Sequence, residues 1–130
     1  MKLLFVGERP SHRAAKIGAT WQNGKLAAKQ LHDALRALNI DPAKHEYINL
    51  WTTPDTYTED DADLCVALER IAYFVSAGYT VVGMGQLVSR YLTANNIAHL
   101  LIVHPAARGA IRAKAVYAAH VANVLTREAA

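Results

Sequence analysis

Four short, continuous apolar runs punctuate the chain. Leu3-Leu4-Phe5-Val6 stops at Gly7 and Pro10, and Tyr47-Ile48-Asn49-Leu50-Trp51 gives way to the turn-rich stretch Thr52 to Thr58. Thr80-Val81-Val82-Gly83 is followed by Gly85, and Leu100 to Val103 stops at His104-Pro105. Runs that are apolar at successive positions, instead of alternating, predict strands buried on both faces. Between them the period changes to three and four. Ala27, Leu31, Ala34, Leu35 and Leu38 mark one face of a helix over Gly24 to Leu38, ended by Asn39 and Asp41-Pro42. Leu64, Leu68, Ile71 and Val75 mark a second helix, closed by Gly78. The acids Glu59, Asp60, Asp61 and Asp63 fall in its first turn, where they complement the macrodipole. Leu87, Val88, Tyr91 and Leu92 predict a third helix after Gly85. A last helix is expected from about Gly109 to Arg127, with Ile111, Ala115, Ala119, Ala122 and Leu125 inward.

Strand and helix therefore alternate four times. This predicts an α/β fold: a four-stranded parallel sheet between two helical layers, in one domain spanning residues 1–130. In such sheets ligands bind beyond the carboxyl ends of the strands. Those ends carry Gly7-Glu8-Arg9-Pro10, Asn49-Leu50-Trp51, Gly83-Met84-Gly85-Gln86 and His104-Pro105. One carboxylate, one amide, one imidazole and several glycines should thus share a single edge.

Composition narrows the chemistry. Half of the 130 residues are apolar and a fifth are charged, as in ordinary globular domains. No apolar run approaches the roughly 20 residues that span a bilayer, and Leu3–Val6 is shorter than the apolar region of a signal peptide. The expectation is a cytoplasmic protein with no membrane partner. The lone Cys65 excludes an internal disulfide and a multi-cysteine metal site, and the six histidines lack ligand spacing, so no metal or cofactor is expected. Neither a phosphate loop nor a complete G-x-G-x-x-G is present. The net charge of +3 matters less than its placement. Arg108, Arg112 and Lys114 surround an expected helix start, where cations oppose the dipole, and Arg9, Arg13 and Lys16 lie in the first loop. An external polyanion on that edge accounts for both groups; a solvated charged face is the plainer reading.

Glu8 could orient a water or act as a general base, or it could brace the loop through Arg9 or Arg13. Asn49 could read a base edge or brace backbone. A neutral His104 could donate to a developing anion, or simply pack. Trp21, Trp51 and Tyr57 offer flat rings to a base, or fill core.

Taken together, "LFVGERPS", "TWQNGKLAAKQLHDALRALNIDP", "YINLW", "TVVGMGQLVSRYL" and "IVHPAARGAIR" resemble, in order and spacing, the motifs of the uracil-DNA glycosylase superfamily over residues 3 to 125. The resemblance implies that family's three-layer fold. It also implies hydrolysis of the N-glycosidic bond of uracil, or another damaged base, flipped out of DNA. Glu8 would manage the hydrolytic water and His104 would stabilise the departing base. Asn49, Trp21 and Gly7 would form the base pocket. Arg9, Arg13, Lys16, Arg108, Arg112 and Lys114 would meet phosphates. The chain departs from the family pattern at Arg9, and at Ala106-Ala107, where a bulky wedge usually follows the His-Pro pair. Two alternatives therefore stand beside the glycosylase: an inactive nucleic-acid or nucleotide-binding module of the same fold, and a hydrolase of small nucleotides.

Overall fold

The computed structural model describes residues 1–56 and 62–129. Four strands, β1 (Leu3–Gly7), β2 (Glu46–Asn49), β3 (Thr80–Met84) and β4 (Leu100–Ile102), form one parallel sheet in the order β2-β1-β3-β4. The helices are α1 (His12–Ile17), α2 (Ala27–Ala37), α3 (Ala62–Ser76), α4 (Gln86–Ala94) and α5 (Lys114–Ala129).

The strand order dictates the layers. β1 is central, and all five of its residues are buried. Successive side chains of a strand point to opposite faces, so Leu3 and Phe5 join a cluster with Leu31 and Leu35 of α2 and Tyr117 and Val121 of α5. Leu4 and Val6 join Ile71 of α3 and Val88 and Leu92 of α4 on the other face. The chain leaves β1 toward β2 through α2, then crosses back to β3 through α3. Right-handed crossovers in opposite directions put those helices on opposite faces. The result is an α/β/α sandwich whose strand order reverses between β1 and β3, the place where ligand crevices open in such sheets.

Several details differ from the sequence-based expectation. The last helix starts at Lys114, not Gly109, and a 3₁₀ turn over Ala110–Arg112 precedes it. Its inward residues are Tyr117, Val121 and Leu125, while Ala115 and Ala119 are exposed. The large side chains set the register and the alanines follow. Helix α1 lies in a segment expected to be loop. Ser11 caps it, its Oγ accepting from the Ala14 N–H at 3.0 Å, and Gly18 stops it at φ 72°. Trp51, a candidate stacking surface, is fully buried and packs edge-on against Tyr91. Of the acids expected before α3, Glu59, Asp60 and Asp61 lie outside the described residues, as does Tyr57. Asp63 accepts hydrogen bonds from the Thr52 N–H and hydroxyl.

Histidines patch backbone that the sheet leaves unpaired. His45 Nδ1 accepts from the Leu3 N–H at 3.1 Å, a bond that requires an unprotonated nitrogen. Burial holds both His32 and His45 below the ordinary histidine value of 6.5. Above that value both states of the chain carry these rings neutral. As pH falls below it, the unfolded chain takes up protons that the folded chain resists. Thermal unfolding followed by circular dichroism should therefore give a flat midpoint above about pH 7 and one lower by a few degrees near pH 5. Replacing His45 by Gln should reduce the slope.

Candidate functional site

The sheet edge does collect the exits. The β1–β2 register sets Gly7 beside Asn49, and the ladder continues past it through Leu50 N–H to Gly7 O and Trp51 N–H to Glu8 O, both 3.0 Å. The backbone of Glu8 is thereby fixed at the crevice floor. At the far side, α5 clamps the end of β4. His120 Nε2 accepts from the Val103 N–H at 2.9 Å, and the Tyr117 hydroxyl donates to the Val103 carbonyl at 2.7 Å. Burial pushes the Tyr117 hydroxyl well above its ordinary value, so it stays a donor. Gly85, at φ 100°, takes a conformation that favours glycine, and a Cβ there would lie 3.6 Å from that of His104.

Glu8, Arg9, Trp21, Asn49 and His104 line one pocket of about 720 Å³. Its wall is completed by α1, the start of α2 and Pro54. Leu26 stands at its edge with φ 56°, a strained conformation for a side-chain-bearing residue, on the order of 1–3 kcal/mol.

The polar atoms of this pocket are oriented. His104 Nδ1 accepts from the Ala106 N–H at 3.0 Å, so the ring proton of the neutral form resides on Nε2. Burial lowers the His104 pKa below 6.5, and the Glu8 charge only partly offsets this. His104 therefore enters neutral solution as an uncharged Nε2–H donor. Asn49 Oδ1 accepts from the Trp21 indole N–H at 2.8 Å. Indole can only donate, which fixes which way the amide faces. Among the described residues, Asn49 Nδ2 and His104 Nε2 have no hydrogen-bond partner, yet no buried side-chain nitrogen or oxygen lacks one. Both donors are thus open to the pocket. Trp21 also meets the His104 ring edge-on at 5.8 Å between centroids. Its own carbonyl accepts from His32 Nε2 at 2.7 Å.

Gly7 lies behind these side chains, and its lack of a side chain is required. A Cβ there would come within 2.6 Å of Asn49 Oδ1 and 2.8 Å of Trp21 Nε1.

The cations divide. Arg9 Nε bonds Glu8 Oε2 at 3.1 Å and its Nη1 reaches the Pro54 carbonyl at 3.5 Å. The loop-bracing arrangement of Glu8 is therefore present, inside the pocket. Arg13 and Lys16 are exposed on α1, outside the pocket lining, and Arg108 is exposed after the His104 turn. Arg112 belongs to the 3₁₀ turn, its carbonyl accepting from Gln30 at 2.8 Å. Lys114 opens α5, and Asp33 of α2, 3.6 Å away, answers its charge. Asp33 also pairs with Lys29 at 2.8 Å, which holds its carboxyl below the usual range. The lining includes a cation not among the candidates, Lys25, just before α2. Its signal was its place at the expected helix start, next to Trp21.

Among the described residues, no group of three histidine, cysteine or acidic side chains could hold a metal ion, and no helix is long and apolar enough to cross a membrane. No protein-family model matches the chain, and comparison with curated proteins finds no match either.

The orientation of His104 is open to direct measurement. Long-range ¹⁵N–¹H NMR spectra should place its proton on Nε2 at pH 7.5, with a titration midpoint below 6.5. A mixture of tautomers, or a midpoint above 6.5, contradicts the assignment.

Proposed function

We propose that this chain is a uracil-DNA glycosylase-like protein, acting in the cytoplasm on uracil or another damaged base flipped out of DNA. The reading rests on one observation. A carboxylate, an amide and a neutral imidazole, from three separate strand exits, line a single pocket large enough for a nucleobase. The resemblance of the same exits to the superfamily motifs supports it.

The chemistry assigned to them is simple. A flipped base enters with its carbonyl oxygens toward Asn49 Nδ2 and His104 Nε2. As the N-glycosidic bond breaks, the base leaves with the electron pair, and charge grows on an oxygen that the His104 N–H already faces. A neutral donor in a partly dry site stabilises that anion without having to lose a proton. Water adds at the sugar carbon, and Glu8 accepts its proton. Flipping costs a few kcal/mol, which phosphate contacts must help offset. Lys25 and Arg9 border the pocket, and Arg13 and Lys16 extend the basic surface along α1.

The Glu8–Arg9 ion pair favours a second reading, a module that binds a base or nucleotide without hydrolysing it. One set of experiments separates the two. Single-turnover incubation with uracil-containing single- and double-stranded oligonucleotides should yield abasic product. Glu8→Gln should slow it by ~10²–10⁴, and His104→Ala by ~10²–10³. The rate should fall as pH drops through the His104 midpoint, which burial places below 6.5, because protonating Nδ1 breaks the bond from Ala106 that aims the ring. Lys25→Ala should weaken DNA binding at every sequence and flatten its salt dependence by about 0.9 in logarithmic slope. Salt-dependent binding with no abasic product, across several damaged bases, sinks the glycosylase and leaves the binding module. Free deoxyuridine and its monophosphate test the small-nucleotide alternative.

A further inference from the structure

Trp21 does something in this pocket that a stacking ring does not. Its indole N–H holds Asn49 Oδ1 at 2.8 Å. An asparagine amide turned by half a revolution exchanges a donor for an acceptor with little change in shape, so an unrestrained amide accepts either of two complementary base edges. Here the reversed orientation would set the Asn49 NH₂ against the indole N–H, two donors face to face. The carbonyl side is therefore committed to Trp21 and the amino side to the pocket.

Two further observations show that the arrangement is built. Trp21 is itself tethered, its carbonyl accepting from the buried His32 at 2.7 Å. The space the bond occupies exists only because residue 7 is glycine, since a Cβ there would crowd both partners to under 3 Å.

We infer that Trp21 is a specificity-determining positioning residue: by locking the Asn49 amide, it makes the pocket select a ligand edge with a carbonyl where Asn49 reaches, and reject one with an amino group. This rests on the nucleobase reading above. Uracil and cytosine carry a carbonyl and an amino group, respectively, at the same ring position, and so separate the two amide orientations.

The test is equilibrium binding of free uracil and free cytosine, by NMR titration, to the full chain and two variants. Trp21→Phe keeps a ring and removes the N–H. Gly7→Ala leaves both partners intact and pushes them apart. Circular dichroism confirms that each variant is folded. The wild type should prefer uracil, and each variant should lower the uracil-to-cytosine ratio by about tenfold, the scale of one lost hydrogen bond. The Trp21 indole proton should exchange slowly with solvent in the wild type and fast in Asn49→Ala. Uracil binding with an unchanged ratio in both folded variants overturns the lock while leaving the nucleobase reading intact. Failure of the wild type to bind either base overturns that reading, and the lock with it.

Discussion

The central strand has no face turned to water. With Leu3, Leu4, Phe5 and Val6 all at zero exposure, β1 requires apolar cover on both sides, and the helices on each side exist to provide it. From that constraint the rest follows. Two helical layers force the chain to leave β1 in one direction and return in the other, which opens a crevice where the strand order reverses. Polar groups cannot enter the sheet without partners. Glu8, Asn49 and His104 are displaced to the strand ends, where backbone and solvent can satisfy them.

What makes that edge a site instead of a polar fringe is the way its hydrogen bonds are assigned. α5 supplies both partners for Val103 and so aims the next residue. The Ala106 amide occupies one nitrogen of His104 and leaves the other as donor. The Trp21 indole occupies the oxygen of Asn49 and leaves its nitrogen. The pocket therefore faces a ligand with two oriented N–H donors and one carboxylate. No pairing of these donors has to be broken before a ligand can accept from them.

The layers and the strand ends were legible because apolar continuity and the 3.6 period are core properties, and the core is large. The three exit residues followed from topology alone. Three other features lacked such a signal. Helix α1 buries none of its residues in the core, so it carries no apolar stripe, and only Ser11 and Gly18 marked its ends. The register of α5 was misread because alanines were counted as core positions when Tyr117 and Val121 were present to fill them. The Trp21–Asn49 bond joins residues 28 apart, and nothing in either local sequence encodes the contact. Its trace was Gly7, whose bare Cα opposite Asn49 reads as generic ligand clearance until the third partner is known. One member of the cation row after His104 meets a partner for a related reason: Lys114 lies 3.6 Å from Asp33, a residue 81 positions away on another helix.

The ion pair between Glu8 and Arg9 bears on whether the carboxylate can work. Both side chains keep between a quarter and a third of their surface in solvent, and pairs at that level of exposure contribute about 0–1 kcal/mol. Releasing Glu8 from Arg9 thus costs on the order of a fivefold rate. A positioned general base contributes about 10²–10⁴, so under the proposed hydrolysis the pair would subtract far less than the carboxylate would provide. Arg9 beside the carboxylate is consequently compatible with hydrolysis on energetic grounds.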